Sequence, residues 1–368
     1  MKVPFFEYPR LWLDERDVLI NIIDETSSTG GFILQKALFD FEHNLAKYSQ
    51  SKFAIGVGNA TDGMEIFLAA IGLTEGDEVI ISSHTMLATA SAIKVAGGVP
   101  VPVDIGEDNL IDPSAIEAAI TNRTVGIMPT QLNGRVCDMD AIQKIADRHG
   151  LFIVEDAAQA LGASYKGRSA GTFGLAADIS FFPAKTLGCI GDAGAIICQD
   201  KNIYEKCYAI HEHGRNKNGE VICWGRNSRL DNIQAAILDY KLKYFDEIIH
   251  RRREIASLYQ SLLGDVQELN LPAAPGSDVD RFDTFQNYEL EAERRDELRS
   301  FLSKNNIGTL IQWGGTPIHS FKNLGFTEDC PKTDLFFEKC IMLPMNIFIS
   351  NDDVKYVANT VRNFYGYK

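Results

Sequence analysis

The sequence contains no segment suited to binding a nucleic acid backbone or to crossing a membrane. Its 36 Lys and Arg stand against 50 Asp and Glu, a net charge of −14, and they form no extended basic block. Binding to a phosphate backbone requires a cationic face, so we expect no nucleic acid partner. No apolar run approaches the roughly 18 residues that span a bilayer, and residues 1–18 lack the apolar segment of a secretory signal. We therefore expect a cytoplasmic protein with no membrane partner.

The seven cysteines lack the spacing of a disulfide framework or a zinc cluster. They are odd in number and no two form a CxxC pair, which is typical of reduced thiols in a long cytosolic chain. The histidines give no better metal candidate, because His211 and His213 are two residues apart and would lie on different faces of a helix. We expect no metal site.

The chain has the composition of a globular protein and is too long for a single hydrophobic core. Its 368 residues, 45% hydrophobic and 23% charged, predict two unequal domains. In the first half, short β-branched runs alternate with segments whose apolar residues recur at i, i+3 and i+4. This pattern predicts a doubly wound α/β domain, which binds ligands at the carboxyl ends of its strands. The predicted strands are 53–58, 78–82, 99–104, 125–129 and 151–156, and the predicted helices are 62–73, 85–97, 112–121 and 139–150.

The pattern changes after this alternation. Residues 179–198 hold two apolar runs around a glycine-containing bend, which predicts a pair of antiparallel strands. Helices are predicted over 202–214 and, as one long element, over 230–263. A Pro/Gly-rich segment beyond Leu271 predicts a loop and a second domain of α+β type. We place the large domain at 1–245 and the small C-terminal domain at 246–368.

Lys185 is the residue with the most informative context. It lies in FFPAKTLG between two apolar runs, where burial would lower the pKa of its ammonium group and favour the neutral amine. A neutral amine is a nucleophile that can bond covalently to an aldehyde. For this segment taken alone, a lysine that extends from a strand end into solvent is the alternative.

Asp156 ends a predicted buried strand at the sheet edge where ligands bind. A buried carboxylate needs a cationic partner, and the protonated ring nitrogen of pyridoxal phosphate would supply one, since that ring is the electron sink for a carbanion. A helix N-cap is a second, compatible role. The phosphate would need an anion site, and the amides of Ala60 and Thr61 at a strand–helix junction could form one, with a hydroxyl from Ser180.

Four segments carry a resemblance to a known family: GNATDGM (58–64), EDAAQALGASYKGRSAGTFG (155–174), ISFFPAKTLGCIGDAGAI (179–196) and GRNSRLDNIQAAIL (225–238). In this order they resemble the DegT-type nucleotide-sugar aminotransferases, which are fold-type I pyridoxal phosphate enzymes. The resemblance runs over nearly the whole chain. It implies a large domain with a mostly parallel seven-stranded sheet flanked by helices, and a smaller C-terminal α+β domain.

The resemblance also implies roles for individual residues. Lys185 would carry the cofactor and Asp156 would face its ring nitrogen, both as catalytic residues. Asn227 would reach the cofactor phosphate of a partner subunit, which implies a homodimer with shared active sites. The other cofactor-binding positions implied are Ala60, Thr61, Met86, Gln159 and Ser180.

Some positions depart from the family pattern. Met86 stands where many relatives place an aromatic ring over the cofactor, and His84 is a possible substitute. Residues 130–135 also differ from the usual segment. Substrate contacts are assigned to Arg215 and Arg229, since guanidinium groups pair with carboxylates and diphosphates, and by resemblance to His319. Arg226 is a further candidate of the same kind.

The resemblance implies transamination of a nucleotide-linked keto sugar for amino-sugar and glycan biosynthesis. L-glutamate would be the amino donor, the cofactor would alternate between pyridoxal and pyridoxamine phosphate, and the lysine segment weakly favours a 3-keto sugar. The alternatives are a 4-keto aminotransferase, a sugar dehydratase of the same scaffold, and a non-catalytic regulatory protein. Dehydratase relatives replace the lysine with histidine, which disfavours that alternative here.

Overall fold

The computed structural model describes residues 2–367. Within that range the α-helices are α1 (Tyr8–Ser28), α2 (Lys36–Tyr48), α3 (Ala60–Ile71), α4 (Leu87–Val95), α5 (Pro113–Ala118), α6 (Met139–His149), α7 (Lys201–His211), α8 (Asn232–Leu242), α9 (Phe245–Leu263), α10 (Arg295–Lys304), α11 (Pro331–Lys339) and α12 (Asn351–Tyr365). Short 3-10 helices lie at Leu132–Gly134, Gln312–Gly315, Ile318–Ser320 and Lys322–Leu324. None of the helices in this range is long and apolar enough to cross a membrane.

Most of the strands belong to one central sheet. The strands are β1 (Phe53–Val57), β2 (Glu78–Ser82), β3 (Val99–Val103), β4 (Thr124–Met128), β5 (Phe152–Ile153), β6 (Glu155–Asp156), β7 (Ser164–Tyr165), β8 (Arg168–Ser169), β9 (Ala176–Ser180), β10 (Gly194–Cys198), β11 (Leu269–Asn270), β12 (Arg281–Phe282), β13 (Tyr288–Ala292) and β14 (Cys340–Leu343). β5 and β6 are two halves of one strand interrupted at Val154. Pairing with the β4 segment continues across the break, because the Val154 amide donates to Ile127 O and the Asp156 amide donates to Pro129 O. The two four-stranded sheets, β3-β2-β4-β5 and β6-β9-β10-β1, therefore form one sheet of seven strands.

The central sheet is parallel except for one strand. β10 pairs antiparallel with both β9 and β1, whereas the neighbouring pairs from β3 to β9 are parallel. The predicted antiparallel pair in residues 179–198 is therefore confirmed. The predicted mostly parallel seven-stranded sheet is confirmed as well.

Local signals in the sequence account for several helix ends. Asp112 caps α5 by accepting a hydrogen bond from the Ser114 amide, and Asn59 caps α3 by accepting one from the Asp62 amide. These bonds satisfy amides that the first helical turn leaves without a partner. Gly150 ends α6 in the left-handed conformation (φ 67°), which costs glycine little.

The predicted single helix over 230–263 is wrong. The chain forms α8 and α9, separated at Tyr244, whose backbone leaves the helical region (φ −111°, ψ 9°). Leu242, Phe245 and Ile249 nevertheless pack in the same core cluster. Because the apolar spacing continues across the break, and no proline or glycine marks it, periodicity alone could not reveal it.

A second hydrophobic core lies in the C-terminal third. β11, β13 and β14 form an antiparallel sheet, and α12 packs against α9. The start of α9 packs with the central sheet through Phe245, while its end packs in the second core through Tyr259 and Leu263. The division into domains at residue 245 stays a prediction.

Candidate active site

A cavity of about 550 Å³ lies where the strands of the central sheet end. Residues at the carboxyl ends of several strands line the cavity, because these ends meet at one edge of the sheet. The strands contribute Asn59 after β1, Thr85 after β2, Thr130 after β4, Asp156 at the end of β6 and Ser180 at the end of β9. The cavity is lined by these residues of the sequence prediction: Ala60, Thr61, Met86, Asp156, Gln159, Ser180 and Lys185.

Lys185 lies on a tight turn that follows β9. The turn is closed by a hydrogen bond from the Lys185 amide to Phe182 O (2.8 Å), and a Cβ at Gly188 would lie 2.9 Å from Pro183 O. The side chain is half-buried because it borders the cavity. Burial lowers the pKa of the Lys185 ammonium group, while the carboxyl groups of Asp156 and Asp178 oppose that shift. The pKa is lowered on balance, which favours the nucleophilic neutral amine.

Asp156 is 4% exposed and is held by fixed donors. Thr89 Oγ1 donates to Asp156 Oδ2 (2.6 Å), and the Ala158 amide donates to Oδ1 (3.2 Å). The Thr89 hydroxyl also contacts Thr85 Oγ1, which contacts Thr130 Oγ1. This chain of hydroxyl groups orients the carboxylate beside the cavity, where it could face a cationic ring nitrogen.

Asp178 is a residue of this region that the sequence prediction missed. It is fully buried, and neither carboxyl oxygen has a hydrogen-bond partner within the described chain. It lies directly opposite Asp156 in the parallel pairing of β6 with β9. Burial raises the pKa of the Asp178 carboxyl well above its usual range, and the nearby Asp156 raises it further. An acidic residue inside the apolar segment LAADISFF was the available signal.

The raised pKa of Asp178 predicts a stability effect in the cofactor-free protein. The folded state holds this proton more tightly than the unfolded state does, so the site costs stability as pH rises above about 3.9, the unfolded pKa. Asp178→Asn has no proton to lose. We therefore expect the variant to have a higher midpoint of thermal unfolding than the wild type at pH 7, with the difference shrinking toward pH 4.

The matched control for this prediction is Glu205→Gln, which changes an exposed acid on α7 in the same way. Calorimetry across the pH range would compare the three proteins. An Asp178→Asn midpoint equal to or below that of the wild type at pH 7 would show that the buried Asp178 carboxyl does not destabilise the folded state at that pH.

The start of α3 offers an anion site. The Asn59 side chain accepts a hydrogen bond from the Asp62 amide, whereas the two preceding amides, those of Ala60 and Thr61, have no acceptor within the helix. β10 approaches this turn closely, since a Cβ at Gly194 would lie 2.5 Å from Ala60 N. Free amides at a helix N-terminus, next to a strand without a side chain at that point, fit a phosphate group.

Gln159 is held by a polar network at the cavity wall. Its Oε1 accepts a hydrogen bond from the Asn133 amide (3.0 Å), and the Asn133 side chain donates to Glu289 Oε2 (2.7 Å). Gln312 Nε2 donates to Asn133 Oδ1 (2.8 Å) and to Glu289 Oε2 (2.9 Å). The sequence prediction named neither Asn133 nor Gln312, and the Asn133–Gln312 and Asn133–Glu289 contacts join parts of the chain more than 150 residues apart.

The residues considered for ring stacking differ in position. Met86 lines the cavity and is 53% exposed. His84 lies behind the cavity wall, where it is fully enclosed, and its Nδ1 donates to Asn109 O (2.9 Å). Its ring packs on Phe336 and Trp313 instead. Met86 therefore borders the cavity and His84 does not, and contact of either residue with a cofactor stays a prediction.

Asn227 and the predicted substrate arginines lie outside this cavity. Arg215 and Arg229 both pair with Glu212, at 3.6 Å and 3.2 Å. Asn227 is exposed on the same segment. Arg226 pairs with Glu65. Their roles stay predictions, and in a single chain they do not meet Lys185.

His319 is also outside the cavity. It is 4% exposed, its Nδ1 is 2.5 Å from Ser83 Oγ, and its Nε2 is 3.1 Å from Asp334 Oδ1. With both ring nitrogens engaged, the imidazole ties the Ile318–Ser320 helix to the end of β2. Its predicted substrate contact stays a prediction that no contact in the structure supports. Among residues 2–367, no group of three or more His, Cys, Asp or Glu side chains is arranged to bind a metal ion.

Comparison with known proteins gives the family. The sequence model of the DegT/DnrJ/EryC1/StrS aminotransferase family matches residues 14–362. The chain belongs to this family. The predicted family and its aminotransferase class are therefore confirmed.

Two curated relatives match over nearly their whole length. The pleiotropic regulatory protein of Geobacillus stearothermophilus is 38% identical over 370 residues, which cover 99% of each chain. The dTDP-3-amino-3,4,6-trideoxy-alpha-D-glucose transaminase of Streptomyces venezuelae is 35% identical over 369 residues, which cover 99% of this chain and 96% of the relative.

Solved structures of the family share the fold. The crystal structure of S. venezuelae DesV in complex with a ketimine intermediate has a TM-score of 0.95 and 35% identity, and covers 100% of this chain and 99% of that one. The structure of NtdA from Bacillus subtilis, with bound cofactor PMP, has a TM-score of 0.88 and 30% identity, and covers 98% of this chain and 85% of that one. The predicted fold class is confirmed by these matches.

Proposed function

We propose that this aminotransferase uses pyridoxal phosphate to transfer the amino group of L-glutamate to a nucleotide-linked keto sugar. The observation that carries the proposal is the convergence of Lys185, Asp156 and the free amides of α3 on one cavity. An amine, a carboxylate and an anion site are the three groups that this cofactor needs, for its aldehyde, its ring nitrogen and its phosphate. The cofactor-bound relative NtdA supports the same assignment.

The residues present would hold the cofactor at both ends. The amides of Ala60 and Thr61 would bind its phosphate, with the Ser180 hydroxyl nearby, and Asp156 would bind its ring nitrogen. Gln159, oriented by Asn133, would lie beside the ring hydroxyl. When bound, pyridoxal phosphate supplies an electron sink for the carbanion formed at the carbon that bears the amino group.

Lys185 has two tasks in the proposed reaction. Its Nζ binds the cofactor covalently at rest, which its lowered pKa favours. Once glutamate has displaced it, the free amine is placed to move a proton to and from the reacting carbon as a general base and acid. Asp156, fixed by the Thr89 hydroxyl, would face the ring nitrogen. Loss of 2-oxoglutarate and uptake of the keto sugar complete the two halves of the exchange.

We infer that the acceptor is a 3-keto sugar rather than a 4-keto sugar. The support is the S. venezuelae relative, whose name specifies an amino group at carbon 3, together with the lysine segment FFPAKTLGCIGDAGA. The cavity suits a sugar with an apolar face, because much of its wall is apolar. The apolar lining includes Phe6, Phe182, Leu310, Ile311, Trp313 and Met342.

We further propose a homodimer with shared active sites. The segment that carries Arg215 and Asn227 also exposes large apolar side chains, with Val221 71% and Trp224 97% exposed. Such clustered apolar exposure is typical of a protein interface, and a partner subunit would bring this segment's polar groups to the neighbouring cavity. A monomer in sedimentation experiments at micromolar concentration would contradict this part of the proposal.

The experiment that tests the function is a screen of keto sugars linked to dTDP, UDP and GDP, each with glutamate. Formation of 2-oxoglutarate would report transamination, and NMR would assign the aminated carbon of the product. We expect turnover with a 3-keto sugar and none without glutamate. Amination at carbon 4 would replace the 3-keto assignment, and a deoxy product formed without glutamate consumption would indicate a dehydratase.

A regulatory role is the second candidate, since the G. stearothermophilus relative is described as a regulatory protein. The intact set of Lys185, Asp156 and Gln159 around one cavity supports catalysis instead. Cofactor binding without turnover of any sugar in the screen would favour the regulatory role.

A further inference from the structure

One side-chain carboxamide forms hydrogen bonds with the residues on both sides of Lys185. Gln286 Oε1 accepts hydrogen bonds from the Thr186 amide (2.7 Å) and from Thr186 Oγ1 (2.6 Å). Its Nε2 donates to Ala184 O (2.8 Å). The residues before and after the lysine are therefore fixed by one side chain that lies 100 residues further along the chain.

Gln286 is itself held rigidly. It is 7% exposed, and its backbone amide donates to Asn133 O (3.0 Å). Arg252, also buried, donates from Nη1 to both Phe285 O (3.1 Å) and Gln286 O (3.0 Å). Phe285 adopts φ 54°, a left-handed conformation that strains a non-glycine residue. A guanidinium group buried against two carbonyls stabilises this backbone.

The same segment reaches Gln159. The Asn133 backbone accepts from Gln286 through its oxygen and donates to Gln159 Oε1 through its amide. Movement of residues 285–287 would therefore displace both Lys185 and Gln159, the residue beside the proposed position of the cofactor ring. Gln286 precedes β13 of the second sheet, so these contacts join that part of the chain to the cavity.

We propose that Gln286 is a positioning residue for Lys185, which holds the lysine turn so that the amine stays in the cavity beside Asp156. The inference rests on the proposed function only for the identity of the group that Lys185 binds. A purely structural bond between two parts of the chain would stabilise the fold without changing the environment of the amine. Positioning, in contrast, changes both the reactivity of the amine and the rate at which it bonds to an aldehyde.

The test compares Gln286→Ala and Gln286→Glu with the wild type. The Gln286→Glu side chain keeps an acceptor for both Thr186 donors but loses the donor to Ala184 O. This variant should therefore still position Lys185 in part. The matched control is Gln260→Ala, which removes a side-chain bond to Pro272 O (2.8 Å) in the same part of the chain. Calorimetry would report how much stability each variant loses.

The first readout uses the protein without cofactor. Acylation of Lys185 by an amine-reactive reagent, followed by mass spectrometry across a pH series, gives the pKa of this amine. We expect Gln286→Ala to shift the curve toward that of an ordinary lysine, near 10.4, whereas Gln260→Ala leaves it unchanged. Coincident curves for Gln286→Ala and the wild type would overturn the proposal.

The second readout is the rate at which added pyridoxal phosphate forms its coloured linkage to the protein. We expect this rate and kcat to fall roughly tenfold to a hundredfold in Gln286→Ala, because small misplacements of reacting atoms carry penalties of this size, with KM for the sugar little changed. An unchanged rate would count against positioning. Wild-type protein that forms no linkage at all would overturn the proposed function, while the acylation curves would still decide the role of Gln286.

Discussion

Replacing Lys185 with alanine is expected to abolish both the visible absorbance of the cofactor-bound protein and its turnover with glutamate. The methyl group can neither bond to an aldehyde nor carry a proton, and no other lysine or arginine lines the cavity within the described chain. Activity should fall by roughly three orders of magnitude or more, as in enzymes that lose their nucleophile. Absorbance spectra and borohydride reduction, followed by peptide mapping, would measure the loss.

The matched control is Lys201→Ala, which removes an exposed lysine of α7 that pairs with Glu205 at 3.5 Å. This variant should keep the spectrum and the activity of the wild type. Both variants should fold, since Lys185 is half-buried at a cavity and supports no core packing. A Lys185→Ala protein that keeps a reducible link to the cofactor would remove the chemical basis of the proposed function.

The cavity wall could be predicted from sequence where it is built from strand ends. Asp156 and Ser180 each follow an apolar run, and such runs end at one edge of a parallel sheet. The amides of Ala60 and Thr61 were predictable for a related reason, since a strand that enters a helix through small residues leaves its first amides free. These signals are local, and they need no knowledge of which strands are neighbours.

The groups that orient the proposed catalytic residues could not be predicted in this way. Thr89 meets Asp156 across 67 residues, and Gln286 meets Thr186 across 100. No property of a short segment distinguishes these side chains from other polar residues. Asp178 is different, because a carboxyl in an apolar strand is visible in the sequence, as it is for Asp156.

The arginines illustrate a second limit. Residue chemistry predicts substrate contacts for Arg215 and Arg229, yet both pair with Glu212 outside the cavity. Guanidinium groups suit both substrate anions and structural ion pairs, so residue type alone does not separate the two roles. In a homodimer, this exposed segment could reach the cavity of the partner subunit. The proposed substrate contacts of these arginines therefore depend on the proposed homodimer.

Asp156→Asn is expected to separate cofactor binding from catalysis. The carboxamide keeps one oxygen that can accept from the Thr89 hydroxyl, which lies 2.6 Å from Oδ2 in the wild type. Its NH2 group then faces the Ala158 amide, which is a donor itself, or the cofactor ring. Without a negative charge there, the ring nitrogen loses its proton and the electron sink weakens. We expect kcat to fall by roughly two to three orders of magnitude, the scale of losing one charge-stabilising group in an active site.

The lysine linkage should survive in Asp156→Asn, unlike in Lys185→Ala, because the amine is intact. Its absorbance would therefore remain while turnover with glutamate is lost, and stopped-flow spectroscopy of the half-reaction would locate the loss in proton removal. Asp112→Asn is the control, since asparagine caps a helix as well as the Asp112 that begins α5. Wild-type rates in Asp156→Asn would mean that the carboxylate acts only as a structural acceptor for Thr89 and the Ala158 amide, and the proposed partner of the ring nitrogen would have to be sought elsewhere.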